Sequence, residues 1–216
     1  MTETTKRIIA GIIMATCVAW IALLQYAGIP AVRWVAVIIA LGMIVEMGLA
    51  IKRAKSELLS KNYNYVVFPV FFAWLVIVLL SAYAVGVRPW IMLLLLMIIC
   101  GADIGAWFFG KLFGGDKMWE KISPNKTWAG QIAGIICGTL ASILYGLLGT
   151  DTFLPQLLWI GISISLLSQY GDLTASWIKR RLGLKDFGNI IPGHGGFLDR
   201  FDGWIYALPL IWLVMM

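Results

Sequence analysis

Apolar runs of about 20 residues recur along this chain, separated only by short charged segments. A bilayer core is crossed by about 20 largely apolar helical residues. Backbone polar groups inside lipid must also be satisfied within the segment, so runs of this length fold as spanning helices. On that ruler seven spans are predicted, at 8–28, 31–51, 65–87, 90–110, 128–149, 154–171 and 198–216. The fold class is therefore all-α, a polytopic transmembrane helical bundle. Charged residues make up 13% of the chain, about half the share of a soluble domain. A soluble domain is thereby excluded. The run from Ile8 to Ala27 follows Lys6 and Arg7, as in a signal peptide. It is longer than a cleaved apolar region and lacks a small-x-small cleavage site, so it is expected to be retained as the first helix.

The basic residues set an orientation. With the N-terminus in the cytoplasm, all of the 17 Lys and Arg residues except Arg33 and Arg88 fall on the inner side. The net charge of +6 is thus a property of one face. It suits anionic headgroups and also a polyanionic substrate arriving from the cytoplasm. Basic residues follow topology rather than forming a stripe interleaved with exposed aromatics, so no nucleic-acid partner is expected. Cys17, Cys100 and Cys137 each lie in an apolar span without metal-ligand spacing and are read as small core residues.

Against this background the polar stretch from Gly171 to Gly203 stands out. It carries Asp172, Asp186, Asp199 and Asp202, five basic residues and the only histidine, His194. Charge beside a membrane span is costly unless it pairs or binds something. If the sixth helix continues past Gly171, Asp172, Ser176 and Lys179 fall on one face, flanked by Arg180. Gly193, Gly195 and Gly196 allow backbone amides to approach an anion. Asp199 and Asp202, three residues apart, are read as sharing one side of a helix start, where paired carboxylates suit Mg²⁺. Helix capping is the plainer reading of either one alone. His194 is open to three readings: general base, phosphate ligand or loop-structuring group.

Upstream, Asp103 lies inside the fourth span among Gly101, Gly105 and Gly110, which suggest close helix packing around it. Ser123-Pro124-Asn125-Lys126-Thr127 reads as a turn into the fifth span, with Lys126 a candidate phosphate contact. Glu46 is a further carboxylate within a span, with no role assigned beyond a structural partner.

Several of these segments together resemble the signature of the phosphatidate cytidylyltransferase (CDP-diacylglycerol synthase) family. They are Ser176-Trp177-Ile178-Lys179-Arg180, Lys185-Asp186, Pro192-Gly193-His194-Gly195-Gly196 and Leu198-Asp199-Arg200-Phe201-Asp202. Ala102-Asp103, Gly110-Lys111-Leu112-Phe113-Gly114, Ser123 through Trp128 and Gly171-Asp172-Leu173 agree as well. The likeness covers Cys100 to Met216, so residues 100–216 are read as the catalytic membrane domain and 1–99 as N-terminal packing helices.

The resemblance implies that CTP and phosphatidate give CDP-diacylglycerol and pyrophosphate, at the cytoplasmic face of what would be a bacterial inner membrane. It implies Mg²⁺ held by Asp172, Asp199 and Asp202, with a monovalent cation such as K⁺ as a second ion. Lys179, Arg180, Lys185 and Arg200 would contact phosphates, and Ser123 and Lys126 would line the substrate pocket. Thr127, Ser176, Asp103 and the glycines at 193, 195 and 196 are grouped with Ser123, Lys126, Lys185 and Arg200 as substrate-binding, and Asp172, Lys179, Arg180, Asp199, Asp202 and His194 form the catalytic set. Membrane lipids are implied as partners, and a homodimer by the resemblance alone. The family commonly has Glu where this chain has Ala175 and a small residue where it has Phe187. Members are commonly longer, so a helical hairpin is expected to be missing from the first half. Transfer to another lipid phosphate, such as an isoprenoid-ether lipid, and a non-catalytic lipid-binding relative are the alternative readings.

Overall fold

The computed structural model describes residues 28, 30–54, 64–147, 154–190 and 195–216. The predicted first span, 8–28, lies outside the described residues apart from Gly28. So do Gly193 and His194. The described helices are α1 (Ala31–Arg53), α2 (Asn64–Val85), α3 (Pro89–Phe113), α4 (Trp128–Leu147), α5 (Leu154–Arg181), α6 (Phe197–Arg200) and α7 (Trp204–Met215). A hairpin of β1 (Lys117–Trp119) and β2 (Ser123–Thr127) joins α3 to α4. The protein is an all-α polytopic membrane protein, and this is the one small sheet among the described residues.

Among the described residues four helices, α1 to α4, are long and apolar enough to cross a membrane. They match the predicted spans at 31–51, 65–87, 90–110 and 128–149 to within a few residues. The segment predicted to span at 154–171 is helical and forms the first part of α5, a helix of 28 residues that runs on through Arg181. Ser165, Ser168 and Gln169 are buried along it and make it markedly less apolar than α1 to α4. The predicted span at 198–216 is broken: α6 ends at Arg200, and α7 begins again at Trp204 as a helix of 12 residues. Asp199 and Asp202 therefore do not share a helix.

The described residues divide into two compact units. One takes in the chain up to Pro89 together with Leu182–Phe201. Within it α1 packs along α2, and the Arg33 guanidinium lies 3.9 Å over the Tyr83 ring while its Nε donates to the Tyr83 carbonyl at 3.1 Å. The short α6 packs on α1, where a Cβ on Gly42 would come within 2.7 Å of the Phe197 ring. Phe187 is fully enclosed in this unit. Where the resemblance leads one to expect a small residue, this chain has a core side chain.

The other unit holds Trp90–Arg181 and Asp202–Met216. Its helices approach through glycine, as the spacing around Asp103 implies. A Cβ on Gly105 would lie 2.5 Å from the Cys137 Cβ, and Gly110 faces Gly130. Small residues let backbones come this close where lipid supplies no hydrophobic drive between helices. Side-chain amides and hydroxyls add to the packing: Gln169 Nε2 donates to the Gln131 carbonyl at 3.2 Å, and Ser142 Oγ to that of Leu157 at 2.8 Å.

Candidate functional site

The turn predicted at Ser123–Thr127 is a strand. β2 pairs antiparallel with β1, Lys117 opposite Thr127 and Trp119 opposite Ser123, so β2 carries two more residues between those pairs than β1 does. Such irregularity bends and twists a strand and re-aims its side chains. The strand ends in a helix cap: the Gly130 amide donates to Thr127 Oγ1 at 3.2 Å, satisfying one of the exposed amides that begin α4. Thr127, expected among the substrate-binding residues, is buried and caps α4. Capping fixes where the hairpin meets α4, and so where Lys126 points.

Lys126 points at α5. Its Nζ lies 2.6 Å from Asp172 Oδ2 and 3.5 Å from the Gln169 carbonyl. Ser176 Oγ donates to the other oxygen, Asp172 Oδ1, at 3.3 Å. The helix does continue past Gly171, so the expected face of Asp172, Ser176 and Lys179 is formed. Gly171 itself lies against the backbone of Asp202, and a Cβ there would overlap the Asp202 carbonyl oxygen. This contact brings a second carboxylate to the first. Asp103, Asp172 and Asp202 lie within electrostatic reach of one another, and Lys126 and Lys179 offset them.

Around the cluster are further predicted residues. Arg180 Nε donates to the Ile122 carbonyl at 3.4 Å, tying α5 to the hairpin. The Arg181 guanidinium lies 4.2 Å over the Trp177 ring. Between the hairpin and Trp177 opens a cavity of about 800 Å³, with Asp116, Lys117, Trp119 and Lys121 in its wall.

The predicted residues Lys185, Gly195, Gly196, Asp199 and Arg200 belong to the other unit. Asp199 is bound to backbone there: its Oδ2 accepts from the amides of Phe187 at 2.9 Å, Gly196 at 3.0 Å and Gly188 at 3.4 Å. Lys185 and Arg200 are exposed. Sequence reasoning gave no role to two residues of this unit that hold the same segment. Glu46 Oε2 accepts from the Leu198 amide at 2.9 Å, and the Arg53 guanidinium donates to the Phe187 carbonyl. The position of Glu46 inside a span was the available signal; Arg53 gave none beyond its topological charge.

Among the described residues, no three His, Cys, Asp or Glu side chains are gathered so as to hold a metal ion. A hard cation such as Mg²⁺ needs only one or two protein carboxylates when substrate phosphates complete its shell. Asp172 and Asp202 are carboxylates of that chemical type, and the Lys126 ammonium lies 2.6 Å from Asp172.

A charged cluster at the end of glycine-packed membrane helices, beside a hairpin bearing lysines, marks the candidate site of a polytopic membrane protein. Residues 1–216 match the model of the cytidylyltransferase family, and the chain belongs to that family. Over 121 residues, 56% of the chain, it is 41% identical to a phosphatidate cytidylyltransferase of Staphylococcus saprophyticus. It is 43% identical over 122 residues to that of Staphylococcus haemolyticus and 42% over 122 residues to that of Staphylococcus aureus. The aligned stretch is 46% of each relative, so the chain spans about half the length of the curated relatives it matches.

Proposed function

We propose that this protein transfers the cytidylyl group of CTP to phosphatidate, giving CDP-diacylglycerol and pyrophosphate, at the cytoplasmic face of a bacterial inner membrane. A phosphate oxygen of the lipid attacks the α-phosphorus of CTP, a new P–O–P bond forms, and the bond to the β-phosphate breaks to release pyrophosphate. The names of the staphylococcal relatives support the reaction. The observation in this chain that carries it is the Lys126–Asp172–Ser176 contact set with Asp103, Asp202 and Lys179 around it.

Such a cluster has work to do in phosphoryl-type transfer, where catalysis is mainly positioning and charge neutralisation. Lys126 and Lys179 would neutralise phosphate oxygens, and Ser176 would orient Asp172. Mg²⁺, held by Asp172 and Asp202, would supply charge neutralisation at the triphosphate. The cavity beside the hairpin is within the roughly 300–1,000 Å³ typical of small-ligand sites and offers Trp119 and Trp177 as flat apolar surfaces. The resemblance assigns Asp199 to the metal as well. Its amide contacts support a second duty, holding the loop that carries Arg200.

The test is product formation by the protein purified in detergent, with CTP, phosphatidate and Mg²⁺, beside Asp172→Asn. Radiolabelled CDP-diacylglycerol from the parent and a loss of about 100-fold or more in the variant are expected. A folded parent that forms no product with phosphatidate, but does so with another lipid phosphate, would replace the substrate assignment. Equal turnover by parent and variant would remove the cluster from the mechanism.

A further inference from the structure

Glu46 is 1% exposed in the middle of α1, and only one of its oxygens is satisfied. Oε2 takes the Leu198 amide, while Oε1 has no hydrogen-bond partner. Oε1 lies against Gly188 and Gly196, where a Cβ at either position would overlap the carboxylate. Two glycines thus make room for a carboxylate that is only half satisfied. A buried, under-satisfied carboxylate costs stability, and an apolar residue of similar volume is often neutral or stabilising in its place. The cost of the unsatisfied Oε1 thus offsets much of what the Leu198 bond contributes, so Glu46 adds little net stability.

Its neighbours on α1 indicate what it does contribute. Gly42, Glu46 and Arg53 stand at i, i+4 and i+11, close to a single face of the helix. Each meets the same segment: Gly42 meets the Phe197 ring, Glu46 the Leu198 amide, and Arg53 the Phe187 carbonyl. Asp199 binds that segment from within, through the amides of Phe187, Gly188 and Gly196. We infer that Glu46 is a positioning residue: with Arg53 it fixes the backbone at Phe187–Gly188 and Gly196–Leu198, and thereby the placement of Asp199 and Arg200. The ordering of the segment stands on this geometry alone. Its consequence for turnover rests on the cytidylyl-transfer reading.

Three variants of the full chain in detergent test it: Glu46→Met, Glu46→Gln and Gly196→Ala. Amide exchange is followed in peptides containing Phe187, Gly188, Gly196 and Leu198, next to thermal unfolding. Glu46→Met removes the acceptor of the Leu198 amide, so it is expected to speed exchange at these peptides roughly tenfold or more. Its unfolding midpoint should change little, because relief of the unsatisfied Oε1 offsets the loss of the Leu198 bond. Glu46→Gln keeps an acceptor for Leu198 and should restore protection. Gly196→Ala, which crowds the carboxylate while leaving Glu46 in place, should loosen the same peptides. In the transfer assay Glu46→Met should lower kcat with KM for CTP unchanged, and Glu46→Gln should recover most of it. Unaltered exchange in both Glu46→Met and Gly196→Ala would overturn the inference. So would a lowered midpoint with uniformly faster exchange across all helices. Faster local exchange without any measurable transfer by the parent would leave the positioning role standing and count against the reaction.

Discussion

Replacing Lys126 with Met separates stability from catalysis. The Lys126–Asp172 pair is short, at 2.6 Å, but its side chains are 24% and 38% exposed. At that exposure solvent screens the attraction, and such pairs contribute about 1 kcal/mol or less. The methionine stem would cover much of the same apolar surface as the lysine stem. For a chain of this size the expected fall in melting temperature is then only about 2–4 °C. On the cytidylyl-transfer reading activity should respond differently, because the ammonium is aimed at Asp172 within the carboxylate cluster. With Lys126 gone, Asp172 loses its counter-charge, and on that reading one preorganised positive group is lost from the triphosphate site. Loss of a single such donor typically costs about 10²–10³ in turnover. The assay is single-turnover formation of CDP-diacylglycerol, run beside thermal unfolding of the same preparation. Turnover within about fivefold of the parent would refute a role for Lys126 in charge neutralisation, since removing a preorganised donor costs far more than that. A large loss of both stability and turnover would instead show that the pair is structural. Lys126→Arg should recover little, because a planar fork cannot reproduce a point charge at this distance.

Gly171→Ala drives a Cβ into the Asp202 carbonyl oxygen, a backbone atom that cannot rotate away. It should cost about 1–3 kcal/mol by overpacking and depress turnover by separating Asp202 from Asp172, as read by thermal unfolding and the transfer assay. Ala175→Glu places a carboxylate at a position with no exposure on α5. Without a partner it should destabilise by about 3–5 kcal/mol, seen as a lower melting temperature in metal-free buffer. An unchanged melting temperature would mean that a cation or basic group already reaches that position. Gly130→Ala brings a Cβ to 2.7 Å from the Ala106 carbonyl and should lower thermal stability by a similar overpacking cost while leaving the KM for CTP unchanged.

Much of this was legible in the sequence. The apolar runs fixed α1 to α4, because helix length and hydropathy across a bilayer leave few alternatives. The i, i+4 spacing of Asp172 and Ser176 foretold their contact, and the glycines around Asp103 foretold close helix packing. These are local relations, set by one helix repeat. Where the reading differed from the structure, tertiary contacts decided. The helix expected from Leu198 onward is interrupted between Arg200 and Trp204, where the Asp202 backbone meets Gly171 of α5. The segment Ser123–Thr127 pairs as a strand because β1 supplies a partner, which no local propensity announces. Lys126 meets Asp172 across 46 positions of chain, and Glu46 meets Leu198 across 152. The sequence thus determined which residues are costly to bury, since that cost belongs to each side chain. Only the fold decided which partners offset the cost, since those partners are brought together from distant parts of the chain.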